Sequence, residues 1–252
     1  MDWLNRHLRP DEDVQIRSLT NDQTILVLAG PKARAVLSAC ARGDWSRAAF
    51  PWLSVRECFI GFAPATVMGV SFSGELAYEI HVPNASLYAA WLALRKAGAP
   101  HQMKLFGARA VDAMRIEKGF LHWKADLLTE FDPYETGLDR FVKLDKADFV
   151  GKAALAMRQA DGPRKRLVTL KIDTDQAPAR GGASLMQGDS VVGTITSGDW
   201  GHRVGMNLAY AFVAPELAEI GSTMQVDMYG NLIGAEVIAP SPYDPDFIRM
   251  RS

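Results

Sequence analysis

Arg115-Ile116-Glu117-Lys118-Gly119-Phe120-Leu121-His122-Trp123-Lys124-Ala125-Asp126-Leu127 leads into Pro133-Tyr134-Glu135-Thr136-Gly137-Leu138 and then Phe141-Val142-Lys143-Leu144-Asp145-Lys146. The apolar density from Leu105 to Lys118 predicts a helix, and Gly119 stops it. Beyond that stop, aromatic, charged and glycine positions follow one another too regularly for a linker, and the stretch reads as one wall of a site. Arg109, Asp112 and Arg115 lie three residues apart on the helix that enters it. They can form a solvated, salt-bridged stripe, or they can serve the site the helix runs into.

Upstream, Trp3, Leu4, Leu8, Val14 and Ile16 alternate with charges in a way that suits a short helix followed by a strand. Residues 24–29, Thr-Ile-Leu-Val-Leu-Ala, form a β-type run that Gly30-Pro31 ends, and Ala33, Val36, Leu37 and Cys40 then fall at helical spacing. A strand, a stop and a helix suggest a phosphate loop, but neither G-x-G-x-x-G nor G-K-[ST] is present, so the turn is read as packing. Val67 to Val82 reads as two strands about Ser73-Gly74. Strand alternation places Tyr78, Ile80 and Val82 on one face and Ala77, Glu79 and His81 on the other. Glu79 is then either a solvated carboxylate or one aimed into a polar pocket. Pro83-Asn84 introduces a helix carrying Leu87, Trp91 and Leu94 on one stripe and ending at Gly98.

Downstream, Gly, Pro and basic residues between Asp161 and Arg166 mark a boundary between residues 1–160 and 161–252. Short strands at 167–172, 183–185, 191–197, 208–213, 223–228 and 232–238, separated by glycine turns, predict a small all-β barrel or sandwich. The fold class is therefore α+β: a mixed sheet with helices, then a C-terminal β-barrel domain.

Composition narrows the function. With 28 Lys+Arg against 29 Asp+Glu, no global charge attracts nucleic acid or an acidic membrane. Cys40 and Cys58 lie in no ligand spacing, and His7, His81, His101, His122 and His202 form no metal motif, so no metal is expected. There is no G-x-S-x-G elbow and no dinucleotide fingerprint. The N-terminus lacks a signal-peptide core and no apolar run reaches membrane-spanning length, so a cytoplasmic protein is expected. These absences leave a ligand held by carboxylate, arginine and aromatic side chains.

The order R-I-E-K-G-F-x-H-W-x-x-D-L, P-x-E-x-G-L, F-V-K-L-D-K resembles the glycine cleavage T-protein (aminomethyltransferase) family, and within it the folate-binding module of dimethylglycine and sarcosine dehydrogenases. Gly74-Glu75-Leu76-Ala77-Tyr78-Glu79-Ile80 is similar to the family's G-E-x-[GA]-[FYW]-E-[IL] segment. Thr196-Ser197-Gly198, Gly201-His202-Arg203, Leu208-Ala209-Tyr210 and Pro242-Tyr243-Asp244-Pro245 continue the match in order.

The resemblance implies tetrahydrofolate as cofactor, whose N5 attacks an iminium or aminomethyl carbon to give methylene-tetrahydrofolate. It makes Glu79 a folate contact, since a carboxylate accepts two hydrogen bonds from an aminopyrimidine edge. Tyr243 is the counterpart of a tyrosine beside the folate, and Tyr78, Arg109 and Arg115 complete the candidate set. Two departures stand out. Val111 occupies the place of a folate-holding arginine. The family's activating aspartate belongs to an N-terminal part of about a hundred residues that this chain is expected to lack, so no catalytic residue is assigned.

Three functions are consistent with this. The first is a one-carbon transferase acting on a glycine-type or methylated-glycine donor. The second is a non-catalytic folate-binding subunit of an amine oxidase with a flavoprotein partner. The third is a scaffold like the folate-binding proteins of iron–sulfur maintenance, which is set aside because Phe120 replaces the cysteine of their K-G-C-[YF]-x-G-Q segment. A partner chain or self-association is expected to cover an apolar surface left by the absent part.

Overall fold

A computed structural model describes residues 1–252. The chain divides into two compact units: one formed by Met1–Ser71, Glu75–Leu105 and Ile248–Ser252, the other by Phe72–Gly74 and Phe106–Phe247. Helices and antiparallel sheets together confirm the α+β class.

The first unit opens with helix α1 (Asp2–Arg6), then strand β1 (Gln23–Ala29), helix α2 (Ala33–Cys40), strands β2 (Val55–Ile60), β3 (Ala63–Met68) and β4 (Ala77–Pro83), and helix α3 (Leu87–Gly98). The strands form one antiparallel sheet in the order β1-β4-β3-β2. β2 and β3 meet through the two-residue turn Gly61-Phe62, which needs Gly61 at φ +61°. One face of the sheet carries Leu28, Val67, Tyr78, Ile80 and Val82, buried with Val36 and Leu37 of α2 and Ala90 and Leu94 of α3. Each large aliphatic side chain buried there contributes about 1.5–3 kcal/mol. The other face carries Ile25 and Val27, each 49% exposed, beside half-buried Glu79 and His81.

The second unit contains helices α4 (Ala108–Glu117) and α5 (Lys152–Asp161) and strands β5 (Arg166–Ile172), β6 (Ser184–Gln187), β7 (Ser190–Gly201), β8 (Met206–Val213), β9 (Thr223–Met228) and β10 (Asn231–Ile238). These six strands close into an antiparallel barrel, β10-β5-β8-β7-β6-β9, which leaves no free edge. Leu170, Leu185, Ile195, Ala209, Val213 and Val226 fill it.

Several local expectations are corrected. Residues 7–22 hold no strand: their charges pair locally, Arg9 with Glu12 and Arg17 with Asp22, and the segment is largely exposed. β3 begins at Ala63 and ends at Met68, because Gly69 donates to the Ser54 carbonyl and turns the chain away well before Ser73-Gly74. α4 begins at Ala108, not Leu105, since Gly107 is extended at its N-cap. β2 and α5 have no counterpart in the sequence reading. Arg56 and Glu57 interrupt the apolar pattern of β2, and α5 buries none of its residues and so carries no core-facing stripe. No helix is long and apolar enough to cross a membrane.

Candidate functional site

Of the predicted residues, Tyr78 and Glu79 belong to the first unit, and Arg109, Arg115 and Tyr243 to the second.

On β4, alternation turns Tyr78 and Glu79 to opposite faces. Tyr78 packs beside Phe50 and under the Arg34 guanidinium, with its hydroxyl buried and without a hydrogen-bond partner. Burial pushes that hydroxyl's pKa up, with Arg34 opposing the shift. Glu79 emerges on the other side, its side chain 37% exposed, with one oxygen 3.3 Å from His81 Nε2. One imidazole contact leaves most of the carboxylate's acceptor positions open.

The second unit builds its cluster from the end of α4. The helix closes in a Schellman arrangement: Phe120 N–H donates to the Arg115 carbonyl at 2.9 Å and Gly119 N–H to that of Ile116 at 3.2 Å. This requires Gly119 at φ +78°, and a Cβ there would collide with the Pro240 carbonyl. The turn that follows delivers Asp126, whose side chain is 0% exposed, back onto the helix. Asp126 Oδ2 accepts from Arg115 Nη1 at 2.6 Å and from His122 N–H at 2.8 Å, while Oδ1 accepts from Thr196 Oγ1 at 2.5 Å and Ser197 Oγ at 2.6 Å. Neighbouring strand residues normally face opposite ways. A register shift between Ile195 and Ser197 lets both hydroxyls reach one carboxylate.

Arg115 is thus turned inward: it also donates to the Phe120 carbonyl at 3.2 Å and lies over the Tyr210 ring. The Tyr210 hydroxyl donates to the Ile116 carbonyl at 3.0 Å, and burial drives its pKa far up, with Arg115 opposing and Asp126 reinforcing the shift. Two residues along, buried Glu117 accepts from the backbone N–H of Arg203 at 2.6 Å and of Val204 at 3.2 Å, and pairs with the Arg203 guanidinium. That guanidinium lies 3.7 Å over the Tyr243 ring, and Tyr243 N–H donates to the Glu117 carbonyl at 3.0 Å. Lys118 is buried, with its ammonium against Asp244 and 3.6 Å over the Phe247 ring.

The end of α4 therefore carries two separate clusters: Arg115, 3.8 Å from Asp112 through Nε, belongs to the one on Asp126, and Tyr243 to the one on Glu117 and Arg203. Arg109 stands apart from both, exposed on the first turn of α4. Sequence reasoning missed Asp126 and Arg203 as organising groups, although both lie in the segments that carry the resemblance. For Arg203 the signal was its place between Gly201 and Gly205; Asp126, flanked by Ala125 and Leu127, carries no local signal beyond its charge. Glu135 of Pro133-Tyr134-Glu135 forms a separate anchor, accepting from Arg164 Nε at 3.1 Å and Nη2 at 3.2 Å. Burial alone would raise its pKa, but the Arg164 and backbone hydrogen bonds prevail and lower it.

The model of the GCVT N-terminal domain matches residues 1–146, and that of the glycine cleavage T-protein C-terminal barrel domain matches residues 165–244. This chain belongs to the glycine cleavage T-protein family. It is 35% identical over 238 residues to human mitochondrial dimethylglycine dehydrogenase, covering 94% of this chain and 28% of that protein. Aminomethyltransferase of Saccharopolyspora erythraea is 32% identical over 222 residues, covering 88% and 60% respectively. Among solved structures, the glycine cleavage system aminomethyltransferase T from Bartonella henselae superposes with a TM-score of 0.78 at 25% identity, over 91% of this chain and 60% of that one. The chain thus spans less than a third of the dehydrogenase and under two thirds of the aminomethyltransferases it matches.

Proposed function

We propose that this chain is a tetrahydrofolate-binding module serving one-carbon transfer from a glycine-type or methylated-glycine amine. Membership of the T-protein family supports the class of reaction, and the observation that carries the reading is the condition of Glu79. Its carboxylate is half-buried on a regular strand, held by one imidazole and otherwise open to donors. That fits the aminopyrimidine edge of a pterin, which offers two parallel N–H groups. When bound, tetrahydrofolate supplies the nitrogen that accepts the one-carbon unit. The protein's part is to orient it, and in the first unit Glu79 is the group suited to fix the pterin; taken by itself, the second unit offers the aromatic face of Tyr243, held by Arg203 and Glu117. Arg109, exposed near the start of α4 in that unit, is a cation suited to a carboxylate. Tyr78 and Arg115 act behind these contacts, seating β4 and the end of α4. We place the folate-binding part in residues 1–160 and the barrel in 161–252, a partition supported by the separate matches to 1–146 and 165–244.

A second reading is favoured by the similarity to dimethylglycine dehydrogenase and human sarcosine dehydrogenase, proteins named for oxidation of methylated glycines. In it, the module binds folate without turning over, and a flavoprotein partner forms the iminium. Calorimetric titration with tetrahydrofolate under reducing conditions tests the shared core of both. Micromolar binding that Glu79→Ala weakens at least about tenfold supports it, and absence of binding by the intact chain sinks it. Turnover of a methylated glycine only after a flavoprotein is added selects the second reading.

A further inference from the structure

The barrel has no strand edge, but the four-stranded sheet has two, and β1 is the longer. Its pairing with β4 fixes which backbone groups remain. Asn84 N–H donates to the Asp22 carbonyl at one end and Gly30 N–H to the Leu76 carbonyl at the other. Even-numbered residues of the strand therefore bond β4, and the N–H and C=O groups of odd-numbered residues point away from the sheet. Gln23 gives its N–H to the Leu19 carbonyl. Ile25, Val27 and Ala29 present theirs outward.

Natural sheets protect such edges with charge, proline or a bulge. β1, Gln-Thr-Ile-Leu-Val-Leu-Ala, has none of these, and Ile25 and Val27 add half-exposed apolar side chains beside the unpaired groups. By contrast, β2 at the opposite edge carries Arg56 and Glu57 and is bridged at Ile60 by Ala41.

We propose that β1 is a self-association edge, pairing antiparallel with β1 of a second copy about a two-fold axis through Leu26. Three observations select a second copy as occupant. The outward groups are on odd residues, so an antiparallel pair must match odd with odd. Centring on Leu26, the middle of the seven residues, does this while overlapping the whole strand: Gln23 faces Ala29 of the other copy and Ile25 faces its Val27. No residue of the strand is charged, so the two-fold opposes no like charges. The first charges beyond the ends do not oppose it either: Asp22 is held 2.5 Å from Arg17 within its own copy, and Lys32 lies past the Gly30-Pro31 turn. The result is one continuous eight-stranded sheet. Its central apolar stripe, Ile25 and Val27 of both copies, is flanked on each side by a Glu79–His81 pair.

Sedimentation velocity on the 27.6 kDa chain tests this, with two double variants. Ile25→Lys with Val27→Lys opposes like charges twice and is expected to weaken the dimer at least about tenfold. Ile25→Lys with Val27→Glu sets the new lysine of each copy against the new glutamate of the other in this register, and is expected to restore it. On the unaltered chain, hydrogen exchange should show the Ile25, Val27 and Ala29 amides gaining protection as concentration rises through the dimer range. A native chain that stays monomeric, a dimer indifferent to the lysine pair, one not rescued by the opposite charges, or exchange at these amides independent of concentration would each overturn the proposal.

Discussion

Asp126 and Glu79 are both carboxylates on ordered elements, and they are used in opposite ways. Asp126 is sealed, with both oxygens doubly engaged by Arg115, His122, Thr196 and Ser197. Glu79 lies on a regular strand between Val27 and Met68, and His81 is the polar group that meets its carboxylate within the first unit. Removing a carboxylate from water is costly unless hydrogen bonds replace the lost hydration. A saturated one is committed to structure, whereas an unsaturated, half-buried one has acceptor positions left for other donors. On the proposed reading the contrast separates wall from binding surface more sharply than residue type does, since both units contain arginines and carboxylates in abundance.

Mutation should expose the difference. Asp126→Ala leaves the buried Arg115 charge with only the longer pair to Asp112, 3.8 Å from its Nε, and should cost about 3–5 kcal/mol in chemical denaturation; a loss below about 1 kcal/mol would mean the knot is slack. Tyr210→Phe removes one buried hydrogen bond, to the Ile116 carbonyl, for about 1 kcal/mol. Because burial raises the Tyr210 pKa, its neutral form stabilises the fold fully below the ordinary value of 10.0, and that contribution fades as pH climbs beyond it. The Phe variant should therefore lose less stability than the parent on going from about pH 9 to about pH 11.

Glu135 has the opposite sign. Its lowered pKa means that the contribution is complete above the ordinary 4.5 and disappears as pH falls through the folded value, so Glu135→Gln should flatten the acid limb of a thermal melt. Glu79→Ala should change stability least, within about 0.5 kcal/mol. On the proposed reading its effect falls instead on folate binding, and a destabilisation comparable to that of Asp126→Ala would place it among the structural carboxylates.

The barrel was legible because each of its strands is a short apolar run between glycine turns, and glycine marks boundaries well. The strand carrying Glu79 was legible by alternation alone. β2 was hidden by its charged middle and α5 by the absence of any buried face: periodicity reports burial, and neither element has a clean buried stripe. The site divided along the same line. Strand alternation put Glu79 on the more polar face of β4. Nothing local could show that Arg115 turns inward, because its partners, Asp126 and Tyr210, are 11 and 95 residues away. The bulge that doubles the hydroxyls on Asp126 is a pairing event, visible only once β7 has met β8.

Lys118 carries a consequence for chemical footprinting. Its amine lies at the end of α4, enclosed by Asp244 and the Phe247 ring, and it is the one lysine in the buried set. An acylating reagent such as acetic anhydride should modify it last among the lysines in the native protein. Mass spectrometry of tryptic fragments would then read the Lys118 adduct as a clock for how often the Pro240–Phe247 segment lifts away, with no label or reporter added to the molecule.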